Sequence, residues 1–127
     1  MIPLCVEEGV GVIPWSPLAR GMLARPAGAE TARRAGDAKI AGELYDHAGD
    51  AAVVEANRKV AAARAVSPAE TALAWLLSKP GVAAPIVGAT KLEHLETAVK
   101  ALALKLTDEE IRALEAPYQP HAVRGWL

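Results

Sequence analysis

The chain has 127 residues and a net charge of -1, with 52% hydrophobic and 23% charged residues. That balance excludes a disordered chain and a general electrostatic pull on nucleic acid, and no uninterrupted apolar run reaches bilayer length, so a globular domain with no membrane span is expected. The single cysteine, Cys5, has no partner for an internal disulfide and reads as a small buried apolar residue. No signal-like stretch precedes Glu7 and Glu8, so a cytoplasmic location is expected.

In chain order, residues 10–14 read as a short buried strand, bounded by glycine and proline. The strand runs into Trp15-Ser16-Pro17-Leu18-Ala19-Arg20-Gly21, a loop that Pro17 stiffens and Gly21 allows to turn. Residues 22–50 show no steady period and read as a long loop, with a short helix near 40–45. Asp50 is placed to cap a helix running to about residue 65, with Val53, Ala56, Val60 and Ala63 as its buried stripe.

Ser67-Pro68-Ala69-Glu70 is a capping box with proline at the first helical position. The helix it opens has Ala69, Ala72, Leu73, Leu76 and Leu77 on its apolar face and stops at Lys79-Pro80-Gly81. A second short strand follows over residues 84–87. Thr90-Lys91-Leu92-Glu93 reads as another capping box, opening a helix with Leu92, Leu95, Val99 and Leu102 on one side. Thr107-Asp108-Glu109-Glu110 is a third, and the tail from Ala116 reads as an extended, docked segment. Strands alternating with helices predict an α/β fold with parallel strands. Two strands are too few for such a sheet, which needs neighbours on either side, so the architecture resembles the end of something larger.

Two strand-to-loop junctions carry the candidate chemistry. At the first, Ser16 offers a hydroxyl, the loop amides offer donors to an anion, and Trp15 offers a flat face. The competing reading makes Trp15 core and Ser16-Pro17 a plain turn. At the second, Thr90 and Lys91 stand at a helix start, where free amides and the dipole attract anions. The competing reading leaves Thr90 as a cap and Lys91 as a solvated charge. His47, His94 and His121 lack metal-ligand spacing. Arg33 and Arg34 read as solvated, or as closing over a phosphate from a flexible loop.

The order of these segments resembles the aldo-keto reductase family over essentially the whole chain. Residues Trp15 to Gly21 look like the segment after that family's seventh barrel strand, and Thr31-Ala32-Arg33 with Asp37 looks like its cofactor-covering loop. Ser67 to Leu77 is similar to its seventh helix, and Pro85-Ile86-Val87-Gly88-Ala89-Thr90-Lys91 to its eighth strand and adenosine-phosphate loop. The resemblance implies the C-terminal portion of a (β/α)8 TIM barrel, its last two strands with their helices, spanning residues 1–127 as a partial domain. It implies NADP(H) as cofactor and aldehydes or ketones as substrates.

By the same resemblance, Trp15 stacks on the nicotinamide, and Ser16, Pro17 and Leu18 line the pyrophosphate. Arg33 reaches the adenosine end, Gly88, Thr90 and Lys91 surround the ribose 2′-phosphate, and His94 lies beside the adenine. His94 stands where the family often has glutamine, and Ala98 where it often has asparagine. The family's catalytic Asp, Tyr, Lys and His belong to the first half of its barrel. Tyr45 and Tyr118 lie in other segments, so no catalytic residue is assigned here. The expected state is therefore a cofactor-binding end that is inactive alone. The alternatives are a non-catalytic nucleotide-binding remnant that folds alone by self-association, and one half of a split enzyme in which a separate chain, the complementing N-terminal barrel half, supplies the first six strands.

Overall fold

Local start and stop signals set most of the helices in the computed structural model, which describes residues 1–24, 44–45 and 49–122. The helix α1 (Ile2–Glu7) carries proline in its first turn, where a missing N–H leaves no bond unmade. It stops at Gly9, whose φ is 67°: the Gly9 amide donates to the Val6 carbonyl at 3.3 Å, and the Val10 amide to the Cys5 carbonyl at 2.7 Å. This is a Schellman stop, and glycine suits its left-handed position. Sequence reasoning missed α1, because six residues are too few for an apolar period to show, although Glu8-Gly9-Val10 carried the stop signal. Cys5 is half-buried on this helix, with a free thiol.

The helix α2 (Asp50–Ala63) corrects two expectations. Gly49 is its cap and Asp50 its first helical residue, without a side-chain capping bond; the carboxylate still favours the positive end of the helix dipole. The buried stripe is also rotated. Asn57, Val60 and Ala61 are buried and Val53 and Ala56 half-buried, while Ala63 is exposed. The helix expected near 40–45 lies mostly outside the described residues, of which 44 and 45 are helical.

The helix α3 (Pro68–Leu77) opens on the expected capping box. Ser67 Oγ accepts from the Glu70 amide at 3.2 Å, and Glu70 Oε2 accepts from the Ser67 amide at 2.8 Å and from its hydroxyl at 2.6 Å. The Ser67 hydroxyl, more than any other group, holds the Glu70 carboxyl below its ordinary value. Ser67→Ala is expected to cost about 1 kcal/mol in a denaturant melt at neutral pH. Because Glu70 is depressed in the folded state, its contribution is full above the ordinary glutamate value of about 4.3 and fades as pH falls through the lower folded value. The gap between the two proteins should therefore narrow on the acid side. A gap that stays constant down to pH of about 3 would remove Glu70 from this account.

The helix α4 (Leu92–Ala101) follows, and α5 (Asp108–Glu115) closes the set. At α5 the expected box forms: the Glu110 amide donates to Thr107 Oγ1 at 3.3 Å, and the Thr107 amide to Glu110 Oε2 at 2.7 Å. The helices form one layer, with α2 against α3 and α5, and α3 against α4. Its core is Val60, Ala61, Ala69, Ala72, Leu73, Ala74, Ala101 and Leu114. Alanine dominates, so the helix backbones come close and leave little room for substitution. At one margin Trp75 Nε1 donates to Glu115 Oε1 at 3.0 Å, and Lys79 pairs with the same carboxylate while lying 4.8 Å from the Trp75 ring centre. The Lys79 hydrogen bond, then that of Trp75, hold the Glu115 carboxyl below its ordinary value.

The two expected strands are extended segments joined by two isolated parallel bridges, Val12 to Val82 and Trp15 to Ile86. The Val12 amide donates to Gly81 O at 2.7 Å, the Ala83 amide to Val12 O at 2.9 Å, and the Ile86 amide to Pro14 O at 2.9 Å. Gly81 has φ 83°, and a Cβ there would lie 2.9 Å from Val6 Cγ2, so α1 presses directly on this turn. Helices thus dominate the described residues. The parallel pairing is right in direction and short in extent.

Burial is the larger correction. Val10 and Ile13, expected inside a buried strand, are exposed, as are Ile86 and Val87. The α4 stripe of Leu92, Leu95, Val99 and Leu102 is exposed as well, with Leu92 at 71%. The apolar pattern is present, but nothing among the described residues covers it. The tail meets the start of α2, with Pro117 and Gln119 close to Gly49; residues 123–127 lie outside the described set.

Candidate functional site

The bridge from Trp15 to Ile86 decides where the two junctions sit. Both segments run in the same direction, so the loops that follow them leave from the same end of the pair. The first, residues 16–24, and the second, residues 87–91, are therefore neighbours, although some seventy residues separate them along the chain.

The first loop is conformationally unusual. Ser16, Ala19 and Arg20 have φ of 51°, 47° and 53°, and Gly21 has 97°. Three non-glycine residues in the left-handed region carry strain, and such strain gathers where a loop must present its backbone in a set way. The loop closes on itself: the Ala19 amide donates to Ser16 O at 2.9 Å and the Gly21 amide to Leu18 O at 2.8 Å, forming a 3-10 turn over Ala19–Gly21. Among the described residues, the Ser16 and Leu18 amides have no backbone acceptor. Alternating left- and right-handed residues form the concave nests in which amides converge on an anion. Ser16, Pro17 and Leu18 are half-buried. Trp15 is 61% exposed, which overturns its reading as core and leaves its indole face open.

The second loop corrects the Thr90 capping box. Lys91 is the cap residue of α4, with φ -138°, and no side chain caps the helix. Thr90 is exposed, and Glu93 turns to Lys91 instead, 3.3 Å from its ammonium. The other two expected boxes form, so the open start of α4 is a local departure. The His94 amide donates to Lys91 O at 3.1 Å, and among the described residues the Leu92 and Glu93 amides before it have no backbone acceptor and can receive an anion. Gly88 has open space where a Cβ would stand, Lys91 is 68% exposed along its side chain, and His94 Nε2 lies 3.9 Å from Glu93 Oε1. Arg33, Arg34 and His47 fall outside the described residues.

Of the sequence-predicted site residues, the structure brings Trp15, Ser16, Pro17 and Leu18 to one loop. Gly88, Thr90, Lys91 and His94 stand on the neighbouring loop and helix start. One residue behind the site escaped sequence reasoning. Asn57 lies among the apolar positions of α2, and its amide nitrogen donates to Leu23 O at 3.0 Å and Pro68 O at 2.9 Å. The signal was a polar residue in register with Val53, Val60 and Ala61. Among the described residues, no group of three or more His, Cys, Asp or Glu could hold a metal, and no helix is long and apolar enough to cross a membrane.

The profile of the Aldo/keto reductase family matches residues 1–119. Versiconal hemiacetal acetate reductase of Aspergillus parasiticus is 42% identical over 97% of this chain, which spans 36% of that protein. An aldo-keto reductase of Alternaria alternata is 39% identical over 98% of this chain and 34% of its own length. Among solved structures, a thermostable aldo-keto reductase determined with the inhibitor epalrestat matches at a TM-score of 0.62 and 24% identity, covering 92% of this chain and 33% of that one. That likeness is one of fold, to part of a TIM barrel. The chain spans about a third of the length of the curated relatives it matches. On the match over residues 1–119 and these relatives, the chain belongs to the Aldo/keto reductase family.

Proposed function

We propose that these residues form the NADP(H)-binding end of an aldo-keto reductase barrel, contributing its last two strands and their helices. The observation that carries this reading is the parallel bridge from Trp15 to Ile86, which sets the Ser16–Leu18 loop and the uncapped start of α4 side by side. A dinucleotide has two phosphate-bearing stretches and a flat redox ring, and each has a matching feature here. The Ser16 and Leu18 amides face the pyrophosphate, with Pro17 fixing the turn between them. The exposed Trp15 face stacks on the nicotinamide. Thr90 as donor, Lys91 as cation and the α4 amides take a ribose 2′-phosphate, with Gly88 giving it room. His94, on the first turn of α4, lies beside the adenine; Arg33, expected at the same end, falls outside the described residues.

The bound nucleotide supplies a hydride for reduction of an aldehyde or ketone. The residues of this chain bind and orient it. The proton that carbonyl reduction also needs calls for a general acid, and none is assigned here. Carbonyl reduction is therefore proposed for the assembled barrel and not for these residues alone. The partner in that assembly is the remaining barrel units, a reading that the exposed apolar residues of α4 and of the bridged pair support. A cytoplasmic setting accords with this cofactor.

A thermal melt of the purified chain with and without excess NADPH tests the cofactor assignment. A ligand at a hundred times its Kd that binds only the folded state adds about 2.7 kcal/mol of stability. An upward shift is expected with NADPH and a smaller one with NADH. A transition that neither nucleotide moves would sink the assignment.

A further inference from the structure

We infer that Asn57 is a positioning residue that holds the Trp15-to-Leu23 loop in its anion-binding shape; its consequence for cofactor binding rests on the function proposed above. Asn57 is 3% exposed, in the middle of α2. Its two amide hydrogens go to two backbone carbonyls far apart in sequence: Leu23, at the exit of the loop, and Pro68, the first residue of α3. One side chain thus ties the loop to the rigid helical layer. The loop needs such a tie. Three of its non-glycine residues hold left-handed backbone conformations, which persist only where the surroundings impose them.

The remaining atom argues that packing alone does not explain asparagine here. Among the described residues, Asn57 Oδ1 is buried without a hydrogen-bond partner. A buried acceptor left unpaired is costly, and a leucine, branched at the same place, would carry no such cost. Rotating the amide does not help, because both carbonyls require a donor. The site therefore keeps a buried, partly unsatisfied polar group in return for two directed bonds. Only asparagine combines this reach with two donors on one nitrogen at this branching.

The test compares Asn57→Leu and Asn57→Asp with a control, Leu114→Ala, which opens the core on α5 and makes no bond to the loop. Hydrogen exchange is followed at the Gly21, Met22 and Leu23 amides, and nucleotide affinity is measured on the same full chain. Both Asn57 variants are expected to speed exchange at these three amides about tenfold relative to the control, since a local opening replaces a global one. They should weaken NADPH and NADH alike, by about tenfold, because both carry the pyrophosphate that the loop faces.

Exchange that rises no more than in the control, or a uniform rise across all helices, would overturn the positioning role. Faster loop exchange in a chain whose wild type binds no nucleotide would support the tie to the loop and overturn the cofactor reading. Should Asn57→Leu fail to fold, Asn57→Ser, which keeps one donor, is read by the same exchange comparison and should give a smaller rise than Asn57→Asp.

Discussion

Sedimentation of the isolated chain is expected to show self-association at micromolar concentration, and the double substitution Leu92→Lys with Val99→Lys is expected to shift it strongly toward monomer. The reason is the distribution of apolar surface. Leu92, Leu95, Val99 and Leu102 lie exposed along one side of α4, and Ile13, Trp15, Ile86 and Val87 are exposed around the bridged pair. Soluble monomers rarely leave contiguous apolar patches of more than a few hundred Å² facing water. The unpaired edges of the two extended segments add open backbone donors and acceptors.

Covering a leucine-sized side chain is worth about 1.5–3 kcal/mol. Losing two such side chains from an interface and placing charges there should weaken association by about a hundredfold or more. The helical layer should survive, since both positions point away from its core. A wild-type chain that sediments as a monomer and melts sharply would show that α4 tolerates water on this face, and would withdraw the uncovered faces as a mark of missing barrel units.

The second large effect is on cofactor choice. Lys91→Ala is expected to weaken NADPH binding by about 10- to 100-fold, the worth of a charge-assisted hydrogen bond, and to change NADH binding by less than about twofold. The side chain is well placed for so selective a test. Its ion pair with Glu93 is exposed at both ends, and such pairs contribute little to stability, so the variant should fold as the wild type does. The two nucleotides differ only in the ribose 2′-phosphate, and titration of the chain's tryptophan fluorescence reads both. Equal losses for the two would remove Lys91 from the 2′-phosphate.

The particular residues show which parts of this molecule a sequence exposes. Ser67 with Glu70 and Thr107 with Glu110 are boxes that close within four residues, and both were legible because every group they need is local. Thr90 with Glu93 has the same spelling and forms no box. Lys91 lies between them and draws Glu93 away, and the cap shifts by one residue. The apolar spacing of Leu92, Leu95, Val99 and Leu102 correctly marked a helix with an apolar side. Whether that side is covered depends on a neighbour, and periodicity says nothing of neighbours.

The candidate site was legible as two separate loops, through their prolines, glycines and hydroxyls. Their adjacency rests on a long-range bridge that no local pattern encodes. The left-handed turns at Ser16, Ala19 and Arg20 were hidden for a further reason: none is a glycine, so no residue type announces the strain. Asn57 was hidden because its role is set by the carbonyls of Leu23 and Pro68, and every residue has a carbonyl.

The two parallel bridges also bear on the order in which the molecule assembles. Each joins residues about seventy positions apart, and contacts of such separation form only after the entropy of closing a long loop has been met. The contacts within α2 and α3 and across their short connection are local and form on a much faster timescale. The α2–α3 pair is thus the early product of folding and the nucleotide-facing pair of loops a late one. A ribosome presents α2 and α3 before residues 82–86 have emerged to meet residues 12–15, so the cradle cannot exist until residue 86 is free of the ribosome.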